Sequence, residues 1–552
     1  MTGITAQAAG IRTGKKISGK LGMFFLAVII FFQIIAMMIV CSGKKEYHID
    51  EIYSYLLSNS YHTDRIANDE TKWDKWVSGD QYESFITVQD GEKFAYDKVY
   101  YNNSLDCHPP LYYWVIHTIC SFFPDQFSKW FGLVVNILFL IGVDILIYQI
   151  SRRMITSKLM QLLPVVVYGF SPIAVETVTF IRMYMMLTFI SLMVCYLTIS
   201  LMKEGITKTK IGLIWLFIFL GGITQYYSLV LSFWGVLFFE IYLLTQKKIK
   251  LFFIHGFGSL LSVVLVYFSF PFILTQAFGS DTNNIGNEVS NNFFNIRLHL
   301  RQARDLAETL IDHTGYGNAG NRLCIALGVV IAVLLVLKII KNKKSALKQT
   351  PEALWMAGVF AATFLSVSFI GGEYVYLRYI YYIVPLMYIL AAYLLDKYAG
   401  SKGLIQKILI VALTVYSVSA FVYGTVNRMS PYLFRETSES DEVLSEYSNC
   451  KLLIIGTEDE RSTAVPTGNL TKIMKFNDVY LGTKNSIKES GSFEECLNNE
   501  DQFVVFIGTS DDWLDGMDPY QTIKELSGGQ KVTYISLTEG TLGEYYLVKK
   551  RT

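Results

Sequence analysis

The stretch LDCHPPLYYWVIHTICSFF, residues 105–123, places polar residues directly ahead of an apolar run. Asp106 and His108 precede a Pro-Pro pair, and the run that follows is shorter than the roughly 20 residues that a membrane-crossing helix needs. Proline fixes φ and lacks an N–H donor, so the pair favours a turn. We therefore expect a half-span whose aromatic residues 112–114 lie along the membrane interface, with Asp106 and His108 at its rim.

The composition of the whole chain predicts an integral membrane protein. Of its 552 residues 52% are hydrophobic and only 17% are charged, with a mean hydropathy of +0.35. Soluble domains carry about 25% charged residues. The seven cysteines include no CxxC pair and indicate neither a zinc site nor a disulfide framework. The first apolar segment is too long for a signal-peptide core, and we expect it to be a permanent anchor.

Apolar segments of spanning or near-spanning length predict a mainly α, polytopic protein of about 11 transmembrane helices. These segments are 21–41, 129–150, 159–180, 183–202, 211–223, 228–246, 251–275, 322–340, 354–370, 379–395 and 404–423. Lysines and arginines cluster before the first span and after every second one. By the positive-inside rule, the N-terminus is expected to be cytoplasmic in a multi-pass cell-membrane protein.

This orientation predicts two domains. Residues 1–425 form the transmembrane domain, with external loops at about 42–128 and 276–321 that carry juxtamembrane helices. Residues 426–552 form a small extracytoplasmic α/β domain, in which KLLIIGT, FVVFIGTS, VTYISLT and YYLVKK have the character of strands. The loop LSGGQK has neither P-loop nor Rossmann spacing, and no nucleic-acid partner is expected.

Polar residues concentrate at the outer rim of the predicted spans. Asp50 and Glu51 follow the first span and are either helix-capping acids or a general base for an incoming hydroxyl. Arg182 and Arg378 lie at the mouths of two spans, against the charge bias. They are either interfacial anchors or ligands for a phosphate, which a guanidinium grips with a planar fork of donors.

Two further groups leave alternatives open. Arg297, Arg301 and Arg304 share one helical face and are expected to face lipid headgroups, with a minority possibility that one enters a site. His108 is a proton shuttle, a donor to a phosphate or a loop residue before the Pro-Pro turn. No ligand spacing demands a metal, so no cofactor is predicted, and a divalent cation at the acids and His108 is left open.

Four motifs in this order resemble the GT-C membrane glycosyltransferases, and specifically the family 39 group of protein O-mannosyltransferases and enzymes related to aminoarabinose transferase. The motifs are the Asp50-Glu51 pair, DCHPPL with Asp106 and His108, SPIAVETVTFIRMYMM around Arg182, and RYIYYIVPLMYIL from Arg378. The likeness covers about residues 20–425. The C-terminal domain resembles no family that we can name, and no mannosyltransferase-type MIR repeat is present.

The resemblance implies an inverting transfer of a monosaccharide from a polyprenyl-phosphate carrier to an acceptor hydroxyl on a glycan, lipid or protein. Catalysis would fall to Asp50 and Glu51. His108, Arg182 and Arg378 would bind the donor phosphate, supported by Asp106, Tyr184 and Tyr379.

Two other functions were weighed against this one. A transporter or flippase predicts ionisable residues near the bilayer midplane, together with inverted repeats. A non-catalytic scaffold would leave the polar residues of the outer rim without a purpose.

Overall fold

Helices make up most of the chain in the computed structural model. It describes residues 2–61, 66, 69–278, 294–341, 349–370, 376–399, 403–433, 438–456, 464–508 and 517–551. Residues 279–293 of the predicted second external loop therefore lie outside the described residues. The α-helices are α1 Thr2–Ser42, α2 Ile49–Asn59, α3 Tyr96–Leu105, α4 Leu111–Phe122, α5 Lys129–Met154, α6 Leu163–Gly169, α7 Pro172–Thr179, α8 Tyr184–Glu204, α9 Lys208–Gly222, α10 Tyr227–Thr245, α11 Ile249–Ser269, α12 Ile273–Phe278, α13 Ile296–Asp312, α14 Gly317–Lys341, α15 Pro351–Ile370, α16 Val384–Ala399, α17 Leu404–Val426, α18 Ser438–Glu446, α19 Ala464–Gly468, α20 Leu470–Ile473, α21 Lys484–Ser490, α22 Ser492–Asn499 and α23 Pro519–Leu526. Short 3-10 helices lie at Glu70–Lys72, Gly79–Phe85, Leu377–Ile383 and Pro431–Leu433.

Eight helices in the described part of the chain are long and apolar enough to cross a membrane. They are Lys20–Ser42, Lys129–Met154, Tyr184–Glu204, Tyr227–Thr245, Ile249–Ser269, Pro351–Ile370, Leu377–Tyr398 and Gln406–Val426. The prediction of a polytopic, mainly helical membrane protein is confirmed.

Of the remaining three predicted spans, one is broken, one lies in a short helix and one lies within a continuous helix of 25 residues. Segment 159–180 is broken into α6 and α7, because Ser171 caps a new helix through the Ala174 N–H at 3.2 Å and Pro172 occupies its first turn. Segment 211–223 lies in α9, which has only 15 residues. Segment 322–340 lies within α14.

The opening stretch of the sequence forms α4, a 12-residue helix that begins directly after the Pro-Pro pair. The half-span is therefore present, but its expected place along the interface is corrected for two of its aromatic residues. Tyr112 and Tyr113 are completely buried, because α4 packs against α2 instead of lying free on a membrane surface. The packing places the polar rim of α4 beside the N-terminal half of α2.

The C-terminal region folds around a six-stranded sheet. Its strands are β1 Trp76–Val77, β2 Lys451–Gly456, β3 Asp478–Thr483, β4 Phe503–Gly508, β5 Val532–Gly540 and β6 Gly543–Lys550, in the order β1-β3-β2-β4-β6-β5. The three central strands are parallel and the others pair antiparallel. The sequence predicted four of these strands. It missed β3 and the two-residue β1, which comes from the predicted first external loop.

The sheet is tied to the predicted first external loop by more than β1. One of its faces contributes Leu452, Ile454 and Val479 to the same buried core as α2 and α4, and its other face packs separately under α21–α23. In addition, α19 packs against α2. The loop and the C-terminal region therefore support each other, and the division into domains 1–425 and 426–552 stays a prediction.

Candidate active site

The first turn of α2 carries Asp50 and begins a few residues beyond α1. His48 caps this helix, since its Nδ1 accepts a hydrogen bond from the Asp50 N–H at 3.1 Å. The His48 N–H in turn donates to Glu51 Oε2 at 2.7 Å and completes a capping box. The two acids lie at the positive end of the helix dipole, where a negative charge stabilises the helix. Asp50 can therefore stabilise the start of α2 and also act as a catalytic base.

Two arginines approach Asp50 from elements far away in the chain. Arg378 Nη1 lies 3.4 Å from Asp50 Oδ2, and Arg182 Nη1 donates to the Asp50 carbonyl oxygen at 3.1 Å. Burial alone would raise the pKa of Asp50, but the two guanidinium groups outweigh burial and hold that pKa below its usual range. Asp50 is therefore ionised at neutral pH, and its side chain remains 24% exposed.

Glu51 is completely buried and its oxygens are occupied by three donors. These are Lys44 Nζ at 2.9 Å, the Ile181 N–H at 2.7 Å and the His48 N–H. Burial raises the pKa of Glu51, and the Lys44 ammonium group opposes that rise. Because no oxygen of Glu51 faces an open site, we propose that it positions α2 against the segment before α8, instead of the catalytic role that its sequence position predicted.

Arg182, His108 and Asp106 form a hydrogen-bonded chain. Arg182 Nη2 lies 2.9 Å from His108 Nε2, and His108 Nδ1 lies 2.7 Å from Asp106 Oδ2. A guanidinium group can only donate, so Nε2 accepts and the proton of a neutral imidazole sits on Nδ1, directed at Asp106. His108 thus orients Arg182. Burial would raise the pKa of Asp106, but His108 and Arg182 lower it below its usual value.

The divalent cation left open by the sequence fits this arrangement poorly. Ligand atoms of Asp106, Cys107 and His108 do lie within 4.8 Å of one another. However, the positive charge of Arg182 directly adjoins His108, and burial raises the pKa of the Cys107 thiol and keeps it protonated. The geometry favours a hydrogen-bond relay at these residues over a metal site.

Aromatic rings surround Arg378. Its guanidinium carbon lies 4.4 Å from the ring centre of Tyr376 and 5.8 Å from that of Tyr379, within the range of cation–π attraction. Tyr379 also stacks on Tyr227 at 4.9 Å between ring centres. Tyr184 is almost fully buried and stacks on Phe180 at 6.0 Å. Both tyrosines predicted as supporting residues thus lie in the packing around the arginines.

Lys44 and Tyr432 lie at this site and were missed by the sequence argument. Lys44 had a weak sequence signal, because it is a lysine on the side where positive charge is scarce. Tyr432 had no sequence signal. By contrast, the second-loop candidates on α13 are all exposed to solvent: Arg297, Arg301 and Arg304. They fit the expected surface helix, and none of them is buried in the site.

An apolar cavity of about 550 Å³ lies between α1 and α17. It extends from Val28 and Thr414 to Val40 and Val426, at the ends of the two helices. The chain continues from these ends to Lys44 and to Tyr432, whose carbonyl oxygen accepts a hydrogen bond from Lys44 Nζ at 2.6 Å. The α1–α17 cavity therefore ends next to the polar site.

Comparison with solved structures identifies the class of fold. The chain has the GT-C fold of polytopic membrane proteins, as the motif resemblance implied. It superposes on crystal structures of ArnT from Cupriavidus metallidurans, one bound to undecaprenyl phosphate and one in the apo state. Both alignments have a TM-score of 0.54 and cover 95% of this chain and 98% of ArnT, at 11% and 10% sequence identity respectively. No protein-family model and no curated protein matches the sequence.

Proposed function

We propose that this chain is an inverting glycosyltransferase that moves a monosaccharide from a polyprenyl-phosphate carrier to an acceptor hydroxyl on the outer face of a membrane. One observation carries the proposal. An ionised carboxylate, Asp50, lies against two arginines, the buried Arg182 and the partly buried Arg378, beside the ends of the membrane helices. A base and two phosphate-binding cations are the groups that such a transfer requires.

A lipid-phosphate donor is supported by the arginines and by the adjacent cavity. The Nε–H groups of Arg182 and Arg378 are buried and have no hydrogen-bond partner among the described residues. Phosphate oxygens would satisfy such donors, which otherwise cost free energy. The α1–α17 cavity offers an apolar path for the prenyl chain, and ArnT, which shares the fold, has been crystallised with undecaprenyl phosphate.

The proposed reaction is a single displacement. The acceptor oxygen bonds to the anomeric carbon, the bond from that carbon to the phosphate oxygen breaks, and the hydroxyl proton passes to Asp50. Arg182 and Arg378 stabilise the negative charge that develops on the departing phosphate, so no general acid is needed. Donor binding also draws Arg378 away from Asp50, which raises the proton affinity of the carboxylate when a base is required.

The membrane orientation is part of the proposal. The lysine and arginine clusters support a cytoplasmic N-terminus, with the site and the C-terminal region outside. Reporters fused to each end of the chain, one active only in the cytoplasm and one only outside, test this. Signals from the same compartment at both ends would contradict it.

The test of function is transfer by the purified protein in lipid vesicles. A panel of radiolabelled undecaprenyl-phosphate monosaccharides serves as donors, with cell-envelope extract as acceptor. We expect transfer that Arg182→Lys lowers strongly and that Arg301→Lys, on exposed α13, leaves unchanged. Absence of transfer with every donor would refute the proposal.

A transporter or flippase remains the second candidate because of one observation. Asp144 is buried in α5, and neither of its carboxyl oxygens has a hydrogen-bond partner among the described residues. Intramembrane carboxyl groups mark transport pathways in many proteins. Movement of undecaprenyl phosphate between leaflets that Asp144→Asn abolishes would favour this function.

A further inference from the structure

Tyr432 lies in the short 3-10 segment Pro431–Leu433, between the last membrane helix and the C-terminal sheet. Two different parts of this residue make contacts. Its carbonyl oxygen accepts a hydrogen bond from Lys44 Nζ at 2.6 Å, and its ring stacks on Phe180 with 4.1 Å between ring centres. The guanidinium carbon of Arg378 lies 5.8 Å from the centre of the same Phe180 ring. These contacts reach three segments that are remote from one another in sequence.

Each contact leads to a separate part of the candidate site. Lys44 also binds Glu51 Oε2 at 2.9 Å, and Glu51 lies next to Asp50 in the first turn of α2. The Phe180 carbonyl oxygen accepts a hydrogen bond from the Arg182 N–H at 2.7 Å. Tyr432 thus contacts residues that hold Arg182, Arg378 and the first turn of α2 in place.

We propose that Tyr432 is a positioning residue that holds Arg378 and the first turn of α2 in register for donor binding. The ring stack fixes the 3-10 segment, which places the carbonyl oxygen for Lys44. The Phe180 ring that Tyr432 stacks on lies within cation–π range of the Arg378 guanidinium group. This keeps Arg378 oriented when a phosphate draws it from the carboxylate. The consequence for catalysis rests on the proposed function, whereas the contacts themselves do not.

The same segment links the C-terminal sheet to the site. The Leu433 carbonyl oxygen accepts from the Lys45 N–H at 2.9 Å, directly beside the Lys44–Tyr432 contact. The sheet also reaches α2 through α19. A role therefore follows for the C-terminal region, to which no function could be assigned from its residues alone: it supports the helix that carries Asp50 from two sides.

Two substitutions separate the ring stack from the hydroxyl group. Tyr432→Phe keeps the ring stack on Phe180 and the carbonyl oxygen and removes only the hydroxyl group. Tyr432→Leu removes the ring stack as well. Tyr423, on the membrane helix α17 and 53% exposed, provides matched Phe and Leu controls.

The experiment measures binding of tritiated undecaprenyl phosphate and amide hydrogen exchange, with the full chain in lipid nanodiscs. We expect Tyr432→Phe to leave both binding and the exchange of amides 52–59 close to the wild-type values. Tyr432→Leu should weaken binding about tenfold and speed that exchange roughly fivefold. In an Arg378→Gln background, Tyr432→Leu should weaken binding by a smaller factor, because part of its effect acts through Arg378.

Wild-type affinity and wild-type exchange in Tyr432→Leu would overturn the positioning role. So would equal effects of the Tyr423 variants. If the wild-type chain does not bind undecaprenyl phosphate, the proposed donor is wrong. The exchange comparison between wild type and Tyr432→Leu still tests whether Tyr432 stabilises α2.

Discussion

Replacing Asp50 with asparagine removes one charge from the candidate site and leaves helix α2 supported. The cap from His48 uses the backbone N–H of Asp50, and Arg182 binds its backbone carbonyl oxygen. Both bonds survive the substitution. The loss is confined to the carboxylate that lies 3.4 Å from Arg378 Nη1.

The size of the effect follows from this geometry. Asp50 and Arg378 are 24% and 16% exposed, and at an effective dielectric constant of about 20 their gross attraction across 3.4 Å is about 5 kcal/mol. Asp50 therefore competes with a donor phosphate for Arg378 in the free enzyme. A general base contributes about 10²–10⁴-fold to rate. For Asp50→Asn we expect kcat to fall about a thousandfold, or about 4 kcal/mol, while KM for the donor falls because Arg378 is free.

The assay is initial-rate transfer in vesicles at several donor concentrations, with Asp97→Asn on the exposed side of α3 as the control. A decrease in both kcat and KM is the signature of a base that shares a cation with the substrate. A kcat within threefold of the wild-type value would refute the assignment of Asp50 as base. An increase in KM that accounts for the whole loss would show that Asp50 binds a substrate instead.

Three further predictions concern the neighbouring charges. Arg378→Gln removes a cation that lowers the pKa of Asp50, so that pKa rises and the acid limb of the kcat/KM profile moves to higher pH; an unmoved limb would contradict the pairing. Glu51→Gln removes the charge that the buried Lys44 ammonium group binds at 2.9 Å, and we expect a loss of about 3–5 kcal/mol of stability, seen as a lower apparent Tm in detergent that a second change, Lys44→Met, partly restores. Asp144→Leu removes a buried carboxyl group without hydrogen-bond partners, and it should raise the apparent Tm, equivalent to about 1–3 kcal/mol, and leave transfer unchanged, whereas a loss of transfer would implicate this residue in function.

The sequence could predict the residues that the site brings together because each had a local signal. Asp50 follows a span, His108 precedes a Pro-Pro turn, and Arg182 and Arg378 stand where positive charge is scarce. The structure places Asp50 beside Arg378 and places Arg182 between Asp50 and His108. Their catalytic roles stay predictions.

Other features depend on contacts that no local pattern encodes. Glu51 differs from Asp50 because the Ile181 N–H, 130 residues away, occupies one of its oxygens. Tyr432 binds Lys44 across 388 residues. The break of the third predicted span did have a sequence signal, the Ser171-Pro172 pair. Averaging the hydrophobicity over a long window conceals this pair.

The charges of the site argue for a link between protonation and donor binding. In the proposed mechanism, Asp50 and a donor phosphate both attract Arg378, so each weakens the attraction of the other for that cation. Linkage is reciprocal: if the phosphate raises the proton affinity of Asp50, protonation of Asp50 must strengthen phosphate binding by the same factor. The lowered pKa of Asp50 in the free protein and the increased basicity proposed for the donor complex are therefore two states of one equilibrium. In this arrangement the carboxylate is kept ionised until the substrate that requires a base has arrived.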